Sequence, residues 1–579
     1  MDKEKLIDKI KNLQGLTNDE KADLLGLLRS FKKYGLVWEE KLEEVEERLR
    51  EEIPVLTEVK ERAIISESAD APNHILIEGD NLEALTTLSY THESAIDVIY
   101  IDPPYNTGNK DFIYNDKFVD AGDEYRHSKW LSFMSKRLRI AKRLLSDKGV
   151  IFISIDDNEQ AQLKLLCDEV FGAENFIASP VRRRRKSQAN LSKNISTIHE
   201  YVLIYKGHGV HELNKIQANI DLSDYKNPDN DYRGPYKTMP CTNKGGSKYS
   251  VVTPSGRIIE EEWRFKEDTY YELLNDNRLV FPKGGMGKPR YKLFLSDKQD
   301  SGVIANSWWA ELESNQEGAT MLKEIMHQDV FNNPKPIGLI NFIFRLGTRY
   351  NSTILDFFAG SGTTLHATMR LNAEDGGNRK CILVTNNENG ICENVTYLRN
   401  KKVIEGYTTP KGEEVAGLTN NTLRYYRTEF LPRERSPRNM RALVSLATDL
   451  LCIKEDLYTE QKMFGKYPTH PKLMRYFAND KKQMLILYKE EAVSYIVEEI
   501  KNMEFNGKLK IYIFTPGRYP FNDDFFEVQD KVELVALPAA IYDAYTRVLP
   551  KRKEKYLAPE KEGEAAPQTL FNDNEEGEE

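Results

Sequence analysis

The sequence predicts an α/β fold with a doubly wound parallel sheet that is interrupted by an inserted module. Short apolar runs alternate with helical stretches from His74 to about residue 207, and the alternation resumes after about residue 331. Apolar strands that are separated by helices are typical of a parallel sheet covered on both faces. Residues 208–330 break the pattern, with many turn residues and little helical periodicity. A chain of 579 residues has room for three or four domains.

The individual elements follow from local periodicity. Residues 1–52 carry apolar residues at helical spacing, and Ile53-Pro54 ends the last helix. In the α/β regions we predict strands at 75–77, 96–101, 149–155, 176–181, 201–205, 353–357 and 381–385, and helices at 130–145, 160–171, 337–346 and from Thr364. Helix-rich sequence follows to about residue 500. Strands at 508–514 and 532–537 then indicate a small C-terminal domain.

These elements divide the chain into six segments. They are an N-terminal helical segment (1–62), a first core half (63–207), the inserted module (208–330), a second core half (331–430), a C-terminal α+β domain (431–558) and a disordered acidic tail (559–579).

Charge is distributed unevenly among these segments. The net charge is −9, yet residues 182–300 hold 22 Lys and Arg against 15 Asp and Glu. Residues 559–579 hold one Lys against eight acids. A basic segment inside an acidic chain favours a nucleic-acid partner more than the total charge suggests.

Composition argues against several other classes of protein. No run of 18 apolar residues indicates a membrane span, and the charged start Met1–Lys5 does not resemble a secretory signal. The five cysteines are scattered and form no Cys-x-x-Cys or Cys/His cluster, so neither a disulfide scaffold nor a bound metal is expected. We therefore expect a cytoplasmic protein without a membrane partner.

The first motif with chemical content is Asp102-Pro103-Pro104-Tyr105, which directly follows the apolar run 96–101. Ligands of open α/β sheets bind at the carboxyl ends of strands. The carboxylate of Asp102 and the carbonyl of the next proline supply two acceptors for an exocyclic amine, and the aromatic ring can stack on a planar base. Taken alone, the motif is equally compatible with an ordinary turn.

The second motif runs from Asp356 through Phe357, Phe358, Ala359, Gly360, Ser361 and Gly362 to Thr363. It joins an apolar strand to the start of a helix through a Gly-Ser-Gly turn, where glycine lets the backbone approach a ligand closely. The third glycine of a dinucleotide fingerprint is absent. On its own this motif favours a plain strand–helix turn.

Together the two motifs resemble those of the amino-group DNA methyltransferases, which use S-adenosylmethionine (SAM). The order of base motif, inserted module and SAM loop is similar to the β group of that family, whose fold is a circularly permuted, Rossmann-like SAM-dependent methyltransferase. Four longer strings resemble the modification subunit of type III restriction–modification systems: Tyr105–Gly108, Ser128–Leu131, Ser154–Glu159 and Val403–Tyr407. The resemblance covers roughly residues 50–430, and it implies that residues 208–330 form the target recognition domain.

The resemblance also implies roles for particular residues. Asp102, Pro103, Pro104 and Tyr105 are expected to hold the target base. The expected SAM-binding residues are Asp80, Phe331, Lys335, Pro336, Asp356, Phe358, Ala359, Gly360, Ser361, Gly362, Thr363 and Glu388. Among them, Lys335 is expected to pair with the SAM carboxylate, and Glu388 is the candidate for the ribose hydroxyls with its register left open.

The basic run Arg182, Arg183, Arg184, Arg185 and Lys186 is expected to contact DNA phosphates, although a solvated surface is the alternative. The predicted function is site-specific transfer of a methyl group from SAM to adenine N6 in duplex DNA after base flipping. An acid before the Pro-Pro pair favours adenine over cytosine N4.

The expected setting is a type III restriction–modification system. The chain shows neither a nuclease motif nor a phosphate-binding Walker loop, so DNA cleavage requires a partner, a restriction subunit with helicase and nuclease activity. A homodimer is also expected. The alternatives are a solitary regulatory methyltransferase, a nucleotide-binding oxidoreductase and a non-catalytic DNA-binding scaffold. Pro240-Cys241 is similar to a cytosine-C5 methyltransferase nucleophile, but an ordinary cysteine is favoured.

Overall fold

The computed structural model describes residues 36–109, 111–115, 117–188, 194–209, 212–216, 222–297 and 302–551. The helices predicted before residue 36 and the tail predicted from Pro559 lie outside these residues. The chain forms two compact units. The first contains Leu56–Thr428 and Asp449–Asp456, with the described residues up to Lys41; the second contains Leu42–Val55, Glu429–Thr448 and the described residues from Leu457.

The elements up to residue 432 alternate as the sequence predicts on both sides of the inserted module. The strands are β1 (Glu52–Glu58), β2 (Asn73–Glu78), β3 (Ile96–Ile101), β4 (Ile113–Tyr114), β5 (Lys117–Phe118), β6 (Leu145–Ile155), β7 (Phe176–Ala178), β8 (Val181–Arg183), β9 (His199–Lys206), β10 (Tyr236–Pro240), β11 (Thr242–Val252), β12 (Ile258–Trp263), β13 (Leu279–Val280), β14 (Arg290–Phe294), β15 (Trp308–Trp309), β16 (Thr353–Asp356), β17 (Lys380–Thr385), β18 (Gly406–Thr408), β19 (Glu414–Ala416) and β20 (Thr422–Pro432). The helices are α1 (Glu44–Glu51), α2 (Asn81–Thr91), α3 (Arg126–Leu144), α4 (Gln160–Cys167), α5 (Glu267–Asn275), α6 (Asn315–Met326), α7 (Ile337–Gly347), α8 (Thr363–Asp375) and α9 (Leu398–Glu405).

Among the described residues, one mixed sheet of eleven strands has the order β1-β20-β2-β17-β16-β3-β6-β9-β8-β15, and β7 pairs with β9. Neighbours from β20 to β6 are parallel, whereas β9 is antiparallel to β6 and β8. From β16 the chain continues to β17 on one side, and from β3 it continues to β6 on the other. The strand order therefore reverses between β16 and β3, and ligands of open α/β sheets bind at such a reversal.

The central strands are buried because helices cover the sheet. Val98, Phe152, Ile354 and Leu383, from four neighbouring strands, are fully buried in one apolar core. That core extends to α7, where Ile340 is also fully buried. Strands buried on both faces are expected to be apolar along their length, and this is the pattern that predicted them. The predicted α/β sheet is confirmed.

The inserted module is smaller than predicted. It contains the sheets β10-β14-β13 and β11-β12 around a core of its own. The predicted end at residue 330 is wrong, because Trp308–Trp309 pairs parallel with β8 and α6 packs on the main core. A strand of two residues carries no periodicity that a sequence can reveal. The capping box of Ser314 and Glu317 at the start of α6 was the available signal.

The predicted helical segment 1–62 also needs correction. In its described part only Glu44–Glu51 is α-helical, Glu52–Glu58 is a strand at one end of the sheet order, and Lys60–Arg62 forms a single 3-10 turn. Ile53-Pro54 does end the helix, as predicted, but the chain then continues as an edge strand. Proline is tolerated on an edge strand because the missing N–H removes no internal ladder bond.

The second unit is α+β, as predicted. Besides α1, it contains α10 (Pro437–Glu455) up to Thr448, β21 (Glu460–Gln461), β22 (Met463–Phe464), β23 (Tyr467–Pro468), β24 (Met474–Ala478), β25 (Gln483–Leu487), α11 (Val493–Lys501), β26 (Leu509–Phe514), β27 (Val532–Leu537) and α12 (Ala539–Thr546). Five of these strands form a sheet in the order β21-β24-β25-β26-β27. None of the described helices is long and apolar enough to cross a membrane.

Candidate active site at the carboxyl ends of β3 and β16

A cavity of about 950 Å3 opens where β3 and β16 end. Asp102 and the residues up to Tyr105 line one part of it, and Phe358 and Gly360 of the glycine loop line another. The two motifs are far apart in the sequence, but the strands that they follow are parallel neighbours. The structure therefore brings the two predicted motifs into one site.

The Asp102 carboxylate is held through one of its two oxygens. Tyr105 donates its hydroxyl hydrogen to Oδ1 at 2.9 Å, and Lys335 Nζ donates to the same atom at 2.5 Å. Burial and the negative charges of Asp102 and Glu200 raise the pKa of Tyr105 well above its usual value, so the hydroxyl keeps its hydrogen. No donor among the described residues engages Oδ2, which stays available as an acceptor.

The two prolines differ in the state of their carbonyls. Trp130, fully buried in α3, donates its indole N–H to the Pro104 carbonyl at 2.7 Å. The Pro103 carbonyl accepts no hydrogen bond from the part of the chain that the structure describes, and Pro103 lines the cavity. The site therefore offers two free acceptors, Asp102 Oδ2 and the Pro103 carbonyl oxygen.

Behind Asp102 lies a chain of buried charges that sequence reasoning missed. Lys335, 8% exposed, is 3.8 Å from Glu200 Oε1, and Arg182 Nε is 3.0 Å from the same oxygen. Burial pushes the pKa of Glu200 up, but the charges of Lys335, Arg182 and Arg184 outweigh it and hold the pKa below its usual value. Glu200 is therefore an ionised carboxylate that ties the catalytic side of the cavity to β8.

The basic run that was predicted to contact DNA is divided by the structure. Arg182 is corrected: its side chain is 0% exposed and pairs with Glu200 and Asn315, so it is not available to a phosphate. Arg184 and Arg185 line the cavity, whereas Arg183 does not. The fifth residue of the run, Lys186, lies on the surface and pairs with Glu317.

The glycine loop is held from behind by α9 and the segment that precedes it. Arg399, 1% exposed, donates through Nη1 to the Ser361 carbonyl, to Ser361 Oγ and to Thr363 Oγ1. Thr396 donates its hydroxyl to the Gly360 carbonyl, and Thr363 donates to the Lys335 carbonyl. These bonds join the loop to the segment Pro334-Lys335-Pro336, and Gly360 remains part of the cavity lining.

Several of the predicted SAM-binding residues support the loop rather than line the cavity. Asp356 is buried and accepts hydrogen bonds from the Phe358 N–H and the Thr364 hydroxyl, while burial raises its pKa to about 7. Ala359, Ser361 and Thr363 are also buried. Phe331 lines the cavity, and Pro336 immediately precedes α7.

Two predicted acids lie away from the cavity lining. Asp80 caps α2 by accepting from the Leu82 N–H, and its carboxylate is 3.5 Å from Arg137 Nη2. Glu388 is exposed and does not line the cavity, which is bordered at the end of β17 by Thr385 and Asn386. At the end of β17 the cavity is therefore lined by Thr385 and Asn386 and not by Glu388.

The turn after the base motif rests on a buried carboxylate. Asn106, with a left-handed φ of 56°, donates through Nδ2 to Glu159 Oε1 at 2.5 Å. His127 Nδ1 is 2.6 Å from the same oxygen. Glu159 Oε2 and Asn106 Oδ1 are buried without a partner, and burial raises the pKa of Glu159 to about 8. Both residues belong to strings noted in the sequence, but nothing there showed that they meet.

The remaining cysteine alternative is excluded by its surroundings. Cys241 is fully buried in the apolar core of the inserted module, and burial raises its pKa to about 12. Such a thiol is not a nucleophile. No group of His, Cys, Asp or Glu within the described ranges could hold a metal ion.

Comparison with known proteins identifies the family. Residues 96–396, more than half of the chain, match the family model described as DNA methylase. The chain belongs to this family. The matched range includes the base motif, the inserted module and the glycine loop, so the cavity is that of a DNA methylase.

Curated relatives extend the match beyond the family model. The Type III restriction-modification enzyme StyLTI Mod subunit of Salmonella typhimurium is 34% identical over 65% of this chain and 60% of the relative. The EcoPI Mod subunit of Escherichia phage P1 is 34% identical over 54% and 58%. The Type II methyltransferase M.KpnI of Klebsiella pneumoniae is 34% identical over 55% and 82%. The chain spans about 60% of the length of the two Mod subunits.

Proposed function

We propose that this DNA methylase transfers a methyl group from SAM to adenine N6 at a specific duplex site, as the modification subunit of a type III restriction–modification system. One observation carries the proposal: the Asp102–Tyr105 motif and the Gly360 loop open into one cavity from adjacent parallel strands. An amine acceptor and a glycine-lined cofactor cradle are then next to each other, which a transfer between two bound molecules requires.

The residues present fit SAM. Gly360 has a φ of 50°, and a Cβ there would lie 3.1 Å from Phe331 Cζ, so only glycine leaves this part of the cavity open. Phe331 and Phe358 both line the cavity and can face a cation. SAM, when bound, supplies a methyl group on a positively charged sulfur that leaves readily. The aromatic rings and the bare backbone would hold it, with Thr385 and Asn386 at the ribose position.

The two free acceptors fit an extruded adenine. An N6 amine carries two hydrogens, which Asp102 Oδ2 and the Pro103 carbonyl oxygen can accept. As N6 forms its new bond it gains positive charge, and acceptors already in place stabilise that charge at no cost of reorganisation. Tyr105 lines the cavity and is the expected stacking partner of the base. The base leaves the duplex stack to reach this position.

Lys335 acts on Asp102 rather than on the SAM carboxylate in this proposal. Its Nζ is 2.5 Å from Asp102 Oδ1 and 3.8 Å from Glu200. The hydrogen bond from Lys335 Nζ to Oδ1 fixes the rotamer of the Asp102 side chain, so that Oδ2 points one way. Lys335 is therefore a positioning residue for the base acceptor.

The type III setting rests on the relatives. Two of them are named Mod subunits of type III enzymes. DNA cleavage would then belong to a separate restriction subunit. The second unit is the candidate surface for that subunit or for a second copy of the chain.

Sequencing of methylated bases tests the proposal. DNA from cells that express wild type should carry N6-methyladenine at one motif, and Asp102→Ala should abolish it while SAM binding, measured by calorimetry, persists. Asp543→Ala is the matched control, since it removes a carboxylate from a half-exposed ion pair with Arg518 in the second unit. N4-methylcytosine in place of N6-methyladenine would contradict the adenine assignment, and residual methylation by Asp102→Ala would contradict the site. Copurification with a helicase–nuclease chain encoded beside the gene tests the type III assignment.

A further inference from the structure

The division of the basic run leaves two arginines at the cavity. The backbone of Arg184 is tied on both sides, because its N–H donates to the Ile198 carbonyl and its carbonyl accepts from the Asn315 N–H, each at 2.9 Å. The chain bends at this residue, and Arg184 and Arg185 both line the cavity. Their backbone is therefore fixed before any ligand arrives.

The guanidinium groups of these two residues keep donors that no protein partner uses. Arg184 makes one long contact, 3.5 Å from Nη1 to Asp156 Oδ2, and its Nε is buried without a hydrogen bond. Within the described residues, the half-buried Arg185 takes part in no hydrogen bond or ion pair. By contrast, Lys335 is paired with Asp102, and Arg182 with Glu200. The positive charge that is left to bind a ligand in the cavity is therefore concentrated at Arg184 and Arg185.

The start of α6 adds donors at the same place. Asn315 and Gln316, its first two residues, line the cavity beside the arginines. Of its first three N–H groups, the Arg184 carbonyl accepts that of Asn315 and Ser314 accepts that of Glu317, which leaves the Gln316 N–H for a ligand. The helix dipole favours an anion at this end. Asn315 is also fixed, because its side chain accepts from Arg182 and its N–H donates to Arg184. The buried Arg182 thus holds the scaffold on which Arg184 is presented.

We infer that Arg184, Arg185 and the start of α6 form a subsite for a backbone phosphate of the extruded target nucleotide. This inference rests on the proposed function and deepens it. Arginine forks bind phosphate oxygens through two parallel hydrogen bonds, which positions a group as well as attracting it. The same cavity holds the amine acceptors, so one nucleotide is gripped at its base by Asp102 and at its backbone by the arginines. Arg183 and Lys186 lie outside this subsite.

A fluorescent base analogue tests the subsite. A duplex with the motif found by methylated-base sequencing carries 2-aminopurine at the target adenine, whose fluorescence rises when the base leaves the stack. At saturating protein, Arg184→Met and Arg185→Ala should lower this rise at least fivefold, while Arg183→Ala and Lys186→Ala keep it within twofold of wild type. Each cavity variant should also weaken duplex binding about tenfold and reduce the salt slope of binding by about one. Unchanged SAM affinity shows that the variants are folded.

Neutral methylphosphonates, placed singly at the phosphates that flank the target, identify the partner. One of them should lower the wild-type rise as much as Arg185→Ala does, and combining it with Arg185→Ala should add nothing further. Full additivity at every flanking phosphate would overturn the subsite, and so would an equal loss in Arg183→Ala. A wild type that methylates DNA without any fluorescence rise would overturn it as well. A wild type that methylates no DNA would instead contradict the proposed function.

Discussion

The buried pair of Arg182 and Glu200 provides the sharpest test of what the basic run does. Their side chains are 0% and 1% exposed, and Nε lies 3.0 Å from Oε1. Arg182→Met removes the charge and keeps much of the volume. Glu200 then remains buried, with Lys335 at 3.8 Å as its nearest charged partner and the Tyr105 hydroxyl at 3.4 Å.

Breaking one side of a buried ion pair costs about 3–5 kcal/mol, because the remaining charge stays desolvated. Since Lys335 still compensates part of the Glu200 charge, we expect Arg182→Met to lower the free energy of unfolding by about 3 kcal/mol. A phosphate-binding arginine on the surface would change stability by no more than about 0.5 kcal/mol. Urea unfolding of the full chain, followed by circular dichroism, separates these two magnitudes, and Arg183→Met is the matched control.

The acid side of the stability profile supplies a second readout. The pKa of Glu200 lies below its usual value, so the pair contributes stability that is fully present above the unfolded-state pKa of about 4.3 and is lost as pH falls through the lower folded value. The difference in unfolding free energy between wild type and Arg182→Met should therefore decrease below about pH 4. An Arg182→Met protein as stable as wild type at pH 7, but weaker in DNA binding, would refute the assignment of Arg182 to the core.

Three further changes probe the cofactor loop and the turn after the base motif. Gly360→Ala should weaken SAM binding in calorimetry about tenfold or more, because its φ is 50° and its Cβ would crowd Phe331, whereas Gly376→Ala has a φ of 72° with open space and should leave SAM binding unchanged. Arg399→Met should weaken SAM binding with little effect on duplex affinity, because its Nη1 bonds organise the loop. Glu159→Gln should become more stable relative to wild type as pH rises from about 5 to 8, as measured by thermal unfolding. Burial raises the Glu159 pKa to about 8, so the wild type loses up to about 1.4 kcal/mol of unfolding free energy per pH unit over that range. A difference in stability between the two proteins that does not change with pH would contradict this.

Local pattern predicted the elements that are apolar and bounded by turns. Strands 96–101 and 532–537 have the predicted bounds, and the helix at 337–346 extends by one residue. Their hydrophobic runs are long enough to show a period. What local pattern could not show is that β3 and β16 are neighbours, since their pairing joins distant parts of the chain. That adjacency, and with it the single site, came from the resemblance to the DNA methyltransferases.

The errors at the site come from buried charge. The sequence around Glu200, Glu159 and Arg399 shows no motif for a buried ionisable residue, and each is explained only by a partner outside its own element. The basic run shows the converse problem. Arg182 and Arg184 have the same side chain but differ in burial. The predicted strand 176–181 ends one residue before Arg182, whereas the observed strand β8 continues to Arg183, and the alternation of side chains along a strand would have placed neighbouring arginines on opposite faces.

The buried charges explain why the cavity differs between the part lined by Asp102 and the part lined by Arg185. Arg182, Glu200, Lys335 and Asp102 form a line in which each charge is opposed by its neighbour, so the line as a whole attracts neither anion nor cation. What it leaves over is an unused carboxylate oxygen at Asp102. The unpaired guanidinium of Arg185 lies outside the line. A single extruded nucleotide presents an amine and a phosphate, and the cavity supplies an acceptor for the first and a donor for the second. Glu200 touches no ligand in this account, but its charge offsets those of Arg182 and Lys335, so that only Arg184 and Arg185 are left to bind the phosphate that we infer.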